Sequence, residues 1–479
     1  MSIIGKDGAP VSAAQIQAAL QRLKEAHLTE GPSSAEQRID RLDRAIALLL
    51  DNRQAIAEAI SADFGNRSHE QTLLSDIGGS VASLKHCKAH LRDWMRADTR
   101  PAPFPGTEAR VEYQPLGVVG VVSPWNFPIV LAFGPLASIF AAGNRAMLKP
   151  SELTPRTSAL IAELVARHFA ETELVTVLGD AQVGATFSAQ PFDHLIFTGS
   201  TSVARHIMRV AADNLVPVTL ELGGKSPVLV SRSADLRTVV ERVLTVKTFN
   251  AGQICLAPDY VLLPEERLSA FVEEARRFVA QAYPRLGDNP DYTSIVNPRN
   301  FDRLHGYLAD ARGKGAAVLE LNPAGEDLGD RMRRKIAPTL LLDVRDDMQV
   351  LQEEIFGPLL PLKTYRDFGE AIDYVNARPR PLAAYYFGED AAERQRVLER
   401  TTSGALVVND AMTHVLAEDL PFGGVGHSGM GAYHGIDGFR TFSHAKAVLV
   451  QSPGGEANLP MRAPYGEMIH GLLDHLLTP

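Results

Sequence analysis

Apolar residues recur at helical spacing through the first hundred positions of the chain. Ile39, Leu42, Ile46, Leu49 and Leu50 share a face, and Ile56 and Ile60 continue it, so residues 12–98 are expected to be helical. The periodicity stops at 99–110, where prolines at alternate positions and a glycine predict an extended loop. Residues 111–128 are rich in β-branched side chains and read as strands. From there the pattern alternates. Helices are expected at 130–142, 154–169 and 202–212, and strands at 145–149, 174–178, 194–197 and 218–222. A second block places helices at 234–249, 265–282 and 300–314, with strands at 260–263, 339–342, 359–365 and 405–408. Strands alternating with helices indicate an α/β fold with a largely parallel sheet. Two such domains with a cleft between them suit a dinucleotide enzyme, whose ligand lies beyond the carboxyl ends of the strands.

Composition narrows the function. A chain of 479 residues accommodates about three domains. A formal net charge of −9 speaks against a nucleic-acid-binding surface. Two cysteines, Cys87 and Cys255, make a disulfide framework implausible and point to a reducing compartment. The amino terminus lacks the basic-then-apolar run of a secretory signal. Apolar stretches break well short of the roughly 18–20 residues of a membrane span. The run 468–477 is a short amphipathic segment interrupted by His470, Asp474 and His475. A soluble, cytoplasmic protein with no transmembrane anchor is expected.

Some motifs mimic function and fail on context. Gly424, Gly426 and Gly429 match the alternating-glycine dinucleotide fingerprint, but they follow Asp419-Leu420-Pro421-Phe422 and not an apolar strand. A flexible glycine-rich loop is the expectation there. Gly224-Lys225-Ser226 resembles the end of a P-loop, yet Thr219 stands where that motif needs glycine. His86 and His90 sit four residues apart beside Cys87, with no further ligand nearby in sequence to complete a metal site.

Three segments hold chemistry that composition does not explain. In 249–258 a turn of small and polar residues delivers Cys255, whose thiolate would be a strong nucleophile; the alternative is a buried structural cysteine. In 221–227 Glu221 ends an apolar strand beside two glycines, where a raised pKa suits a general base; the alternative is a strand-end carboxylate paired with Lys225 or an arginine. In 124–128 two prolines fix a turn that holds the Asn126 amide outward, the kind of donor an oxyanion hole uses; the alternative is an Asn that satisfies turn backbone. Together the three supply a nucleophile, a base and an oxyanion donor.

These residues resemble the aldehyde dehydrogenase superfamily from about residue 35 to residue 450, in the stretches 124–128, 148–152, 197–201, 221–227, 252–255, 353–358 and 421–429. Segments 217–227, 257–260 and 428–435 are most similar to its class 3 and fatty-aldehyde group. General similarity, including 63–68, is greatest to the bacterial coniferyl-aldehyde branch, which acts on aromatic, phenylpropanoid-type aldehydes. The resemblance implies two doubly wound parallel-sheet domains plus a β-arm for oligomerisation. Residues 1–98 and 123–222 would bind NAD(P), and 223–415 would be catalytic. Residues 99–122 and 416–452 would form the arm and C-terminal strand of a homodimer, with 453–479 as a tail. Cys255 would attack an aldehyde, and Asn126 with the Cys255 backbone N–H would hold the oxyanion. Glu221 would activate water against the thioester, so activity should rise toward mildly alkaline pH.

The same resemblance implies cofactor contacts from Lys149 and Glu152 to the adenosine ribose and from Glu354 to the nicotinamide ribose. Phe356 and Trp125 would pack nearby, and Gly199, Ser200 and Thr201 would open a helix toward the pyrophosphate. Ala204 stands where the family often has glycine. Glu152 favours NAD over NADP, although related enzymes with Glu at this position also accept NADP. The alternatives are an acylating enzyme using coenzyme A or an acyl phosphate, and a non-catalytic relative. Glu221, a residue of hydrolysis, argues against the first. The full set of Asn126, Glu221, Cys255 and Glu354 argues against the second.

Overall fold

The computed structural model describes residues 11–479 apart from 103, 105, 456, 459 and 460. Two separate parallel sheets dominate it. The first has the strand order Gly429–Met430, Val218–Leu222, His194–Gly199, Val118–Val122, Arg145–Lys149, Leu174–Thr176. All of its strands are parallel except Gly429–Met430, which runs antiparallel beside Val218–Leu222. Alternation along the strands sends side chains to two cores. Val118, Met147 and Leu195 meet Ile16, Leu20 and Leu23 of the helix Ala13–Glu30 on one face. Val119, Leu148 and Ile196 meet Leu42, Phe133 and Phe140 on the other. Covered on both faces, the sheet is the doubly wound form that the resemblance implies, on the largely parallel α/β pattern read from the alternation.

The second sheet has seven strands in the order Ala317–Glu320, Thr339–Leu342, Leu359–Tyr365, Pro258–Pro264, Ser226–Val230, Ala383–Phe387, Ala405–Val408. Only Ala317–Glu320 is antiparallel to its neighbour. Two interior strands, Ser226–Val230 and Ala383–Phe387, escape the sequence pattern. Every residue in both is buried, as in the expected strand Arg145–Lys149, but Ala383–Phe387 opens on two alanines, weak strand formers. Pro227 also lies inside the first of them. A register shift at Ser226/Pro227 accommodates the missing N–H, as a bulge can.

The arm is a three-stranded antiparallel sheet of Asp98–Arg100, Thr107–Pro115 and Ser443–Gln451. This corrects two expectations. Residues 99–110 are not all loop, because the strand begins at Thr107. Nor does 99–122 belong wholly to the arm, because Val118–Val122 is an interior strand of the six-stranded sheet. Likewise Gly429–Met430 joins that sheet, and the helix Gly435–Thr441 buries Phe439 in the main core. The glycine-rich stretch 424–429 is also not a free loop. A Cβ on Gly424 would collide with the Ser428 backbone, and the Leu222 N–H donates to the Ser428 carbonyl at 3.0 Å.

Among the described residues no helix is long and apolar enough to cross a membrane. The tail ends in a helix, Glu467–Leu477, that leaves Leu476 and Leu477 exposed.

Candidate active site

The parallel strands of the six-stranded sheet end on a common edge. Val122 lies opposite both Lys149 and Phe197, and Thr198 lies opposite Glu221. The segments beyond those ends are therefore neighbours in space although far apart in sequence: 123–128, 150–152, 199–201 and 221–224. The second sheet contributes from its opposite ends. Cys255 immediately precedes the strand Pro258–Pro264, and Glu354 and Phe356 precede Leu359–Tyr365. The short connection 223–225 runs directly from one sheet to the other.

Cys255 is presented by a tight reversal after the helix Leu236–Thr248. Asn250, Ala251 and Gly252 all take positive φ, at 49°, 50° and 71°. That conformation is disfavoured for an Ala and mild for Asn or Gly, so the surroundings must impose it. Gln253 does so. Its Nε2 donates to the carbonyls of Asn250 at 2.9 Å and Ser294 at 3.1 Å, and its Oε1 accepts the Val296 N–H at 3.0 Å. Gly252 is required because a Cβ there would strike the Gly357 carbonyl. The Tyr385 hydroxyl donates to the Leu256 carbonyl just past the cysteine. The half-buried thiol is thus rigidly placed, whereas Cys87 is the fully buried structural one.

Two carboxylates surround the thiol. Glu221 is 3% exposed and neither of its oxygens has a hydrogen-bond partner in the protein. Desolvation raises its pKa well above the ordinary carboxylate range. The Glu354 pKa is raised to about 7 by burial, despite a hydrogen bond from the Gly224 N–H. Burial also pushes the Cys255 thiol up to about 12, and Glu354 and Glu221 add repulsion. The N–H groups of Cys255 and Leu256 act on the sulfur in the opposite direction. The alternative pairing of Glu221 with Lys225 does not occur. Lys225 instead forms an ion pair with Asp259 and donates at 2.8 Å to the carbonyls of Val350 and Glu353. The other Asp259 oxygen accepts the Ile355 N–H at 2.9 Å. Lys225 and Asp259 therefore position the segment that carries Glu354.

Asn126 corrects an expectation in detail. Its amide is not held outward but is buried, and Nδ2 donates to the Gln253 carbonyl at 3.2 Å. An amide nitrogen carries two hydrogens, so one N–H remains for an oxygen beside Cys255. The Asn126 carbonyl in turn accepts from Asn250 Nδ2 at 3.0 Å and Arg67 Nη1 at 2.8 Å.

The residues assigned to a dinucleotide also converge, and their chemistry fits one. Ser200 precedes the helix Thr201–Ala212 and its hydroxyl meets that of Ser202 and not a backbone N–H, leaving first-turn N–H groups for an anion. Lys149, buried at its strand end, donates to the Pro150 carbonyl at 2.8 Å and lies 3.6 Å from Glu152. Glu354 Oε1 is buried without a partner, and its carboxylate lies where a Cβ on Gly223 would be. The Phe356 ring meets Trp125 edge-on at 5.4 Å between centroids. Ala204 does not belong with this set. It is 1% exposed within the apolar cluster of Phe197, Ile207 and Leu220, so its methyl serves helix packing.

Sequence reasoning missed Asn250, Gln253, Arg67, Asp76 and Asp259. For Asp76 a signal exists: a lone acid on a helical face with Thr72, Ser80 and Leu84, where burial demands a partner. The others have no local signature, because partners that give them their roles lie far off in sequence: Asn126 for Arg67 and Asn250, Ser294 for Gln253, Lys225 and Ile355 for Asp259. His86 and His90, weighed as a metal clip, meet in a tilted ring contact, and His90 stacks on Trp94. Among the described residues no three His, Cys, Asp or Glu side chains are grouped as metal ligands.

Comparison with known proteins agrees with this geometry. Residues 7–448 match the model of the Aldehyde dehydrogenase family. The chain is 74% identical to the coniferyl aldehyde dehydrogenase of a Pseudomonas species, over 100% of this chain and 99% of that one. A substrate-bound AldH from Staphylococcus aureus superposes with a TM-score of 0.91 at 34% identity, covering 96% of this chain and 99% of that one. An indole-3-acetaldehyde dehydrogenase mutant from P. syringae, in complex with NAD+ and IAA, superposes with a TM-score of 0.85. It is 25% identical, covering 93% of this chain and 90% of that one.

Proposed function

The chain belongs to the aldehyde dehydrogenase family, and we propose that it oxidises an aromatic, coniferyl-type aldehyde to the carboxylic acid with NAD. Oxidation of an aldehyde with NAD(P) is the family's reaction. The observation that carries the assignment of roles is the site's composition: one rigidly held thiol, one buried carboxylate without a partner, and one amide with an N–H to spare.

In this reading Cys255 attacks the aldehyde carbon as thiolate, and the new oxyanion sits against the Asn126 amide and the Cys255 N–H. Lys149, Glu152, Glu354, Phe356, Trp125 and the free N–H groups after Ser200 would hold NAD, which would supply the acceptor for the hydride on the thiohemiacetal carbon. The product of that step is a thioester on Cys255. Glu221 removes a proton from water, the hydroxide adds to the thioester carbonyl, and collapse expels the thiolate and frees the acid. A base placed for hydrolysis also favours release of free acid over acyl transfer to coenzyme A.

Substrate class rests on the 74% identity over the full chain to an enzyme named for coniferyl aldehyde. Preference for NAD over NADP rests on Glu152, whose charge repels a 2′-phosphate. A homodimer formed through the arm, and a cytoplasmic location, complete the reading. The test is a panel of aromatic, aliphatic and short aldehydes assayed with each cofactor. The expected result is the highest kcat/KM with cinnamaldehyde-type substrates and NAD. Strong preference for acetaldehyde would contradict the aromatic assignment.

A further inference from the structure

The segment 63–68 has a physical role that its resemblance to relatives does not explain. It is a strut between three parts of the active site. Asp63 caps the helix Pro155–His168, accepting from the N–H groups of Arg156 at 3.1 Å and Thr157 at 2.8 Å. Asn66 Nδ2 donates to the Tyr292 carbonyl at 2.8 Å, and the Asn66 carbonyl accepts the Ser294 N–H at 2.9 Å. Ser294 is the residue whose carbonyl Gln253 holds beneath the cysteine turn. Arg67 reaches the third part, the turn that carries Asn126.

Arg67 and Asp76 form an ion pair at 2.6 Å, with both side chains 0% exposed. The pair grips the Asn126 turn from both of its charges. Arg67 Nη1 donates to the Asn126 carbonyl at 2.8 Å. Asp76 Oδ1 accepts the N–H groups of Ile129 at 3.0 Å and Val130 at 3.2 Å, just past the turn. The guanidinium also lies over the Phe127 ring at 4.7 Å. Asp76 is aimed by a π-helical interruption, Leu73–Gly78, between the helices His69–Thr72 and Gly79–Trp94. Such interruptions re-aim side chains and concentrate at functional sites.

Stability does not account for this arrangement. A fully buried ion pair generally contributes no more than apolar residues of the same volume. Here desolvation lowers the Arg67 pKa and raises that of Asp76, so burial opposes both charges despite their attraction. What the pair does supply is direction, since a forked guanidinium fixes a carboxylate and a carbonyl at once.

We propose that Arg67 and Asp76 are positioning residues for the oxyanion step. They fix the main chain of Asn126, so that its side-chain amide keeps one N–H on Gln253 and turns the other toward the oxygen at Cys255. This rests on the oxyanion role read for Asn126 above.

The test is a double-mutant cycle on the rate of acylation, read as the pre-steady-state NADH burst. Arg67→Met/Asp76→Leu removes both charges and leaves no buried ion unpaired. Arg67→Lys keeps the charge and loses the fork, and it serves if the apolar pair fails to fold. With asparagine at 126, either is expected to slow acylation roughly a hundredfold, the scale of a small misplacement of a reacting group. In the Asn126→Ala background the same changes are expected to cost nothing further. A proportional loss in both backgrounds, or undiminished acylation in a folded variant, would overturn the positioning role alone. An Asn126→Ala enzyme with full acylation rate would instead overturn the reading of Asn126, and this proposal with it.

Discussion

At the scale of single residues, Glu221 decides the pH behaviour. Its folded-state pKa lies well above the ordinary value because burial penalises the charge. Deacylation needs the ionised form, so turnover should climb from neutral into alkaline pH. Glu221→Gln should flatten that climb and lower steady-state turnover about a hundredfold or more, while leaving a burst of NADH; a pH profile with rapid-mixing kinetics checks both. Stability runs the other way. A carboxyl with a raised folded pKa binds its proton more tightly when folded, so stability falls as pH rises from the unfolded value toward the folded one. Glu221→Gln removes that penalty and should stabilise the protein at pH 8 by about 1–3 kcal/mol. Chemical denaturation at pH 5 and pH 8 measures it, and a gain at pH 5 equal to that at pH 8 would contradict the account. The candidate nucleophile, base and oxyanion donor were legible because each residue type sits in an unusual local frame: a polar turn, a strand end, a proline pair. Arg67, Gln253 and Asp259 were not, because ordinary local sequence conceals partners reached only through the fold.

Elements place those residues. The cysteine turn is three consecutive left-handed residues, so its geometry depends on Gly252 more than on the cysteine. Gly252→Ala meets both a φ of 71° and the Gly357 carbonyl. Gly315, the left-handed cap after the helix Pro298–Gly313, also has a positive φ, of 92°, but open space around it. Gly315→Ala should therefore cost about 1–2 kcal/mol from the backbone alone. Gly252→Ala should cost at least about 2 kcal/mol and most of the activity. Denaturation curves of the two variants compare them directly, and equal losses would remove the steric argument. The half-covered helices were readable from periodicity, and buried strands such as Arg145–Lys149 from their place between helical segments. Ser226–Val230 was not, because Pro227 speaks against a central strand, nor was Ala383–Phe387, which opens on two alanines, weak strand formers.

For the whole molecule, strand-helix alternation indicated two α/β blocks with largely parallel sheets, but the boundary of the arm emerged only from pairing. Val118–Val122 follows Thr107–Pro115 after only two residues and joins a different sheet. The arm's outer strand Ser443–Gln451 leaves Leu449 and Val450 exposed at an edge, the kind of surface that pairs with a second copy. Leu449→Lys/Val450→Lys should convert the expected dimer to monomer in sedimentation velocity. A dimer that survives both charges would place the interface elsewhere. The central claim is the acyl group on Cys255, and intact-protein mass spectrometry of Glu221→Gln after reaction with aldehyde and NAD tests it most directly. The account predicts a mass increase equal to the acyl group, mapped to the peptide containing Cys255 and absent from Glu221→Gln/Cys255→Ala. An unmodified protein after a full NADH burst, or an adduct that persists without Cys255, would contradict it.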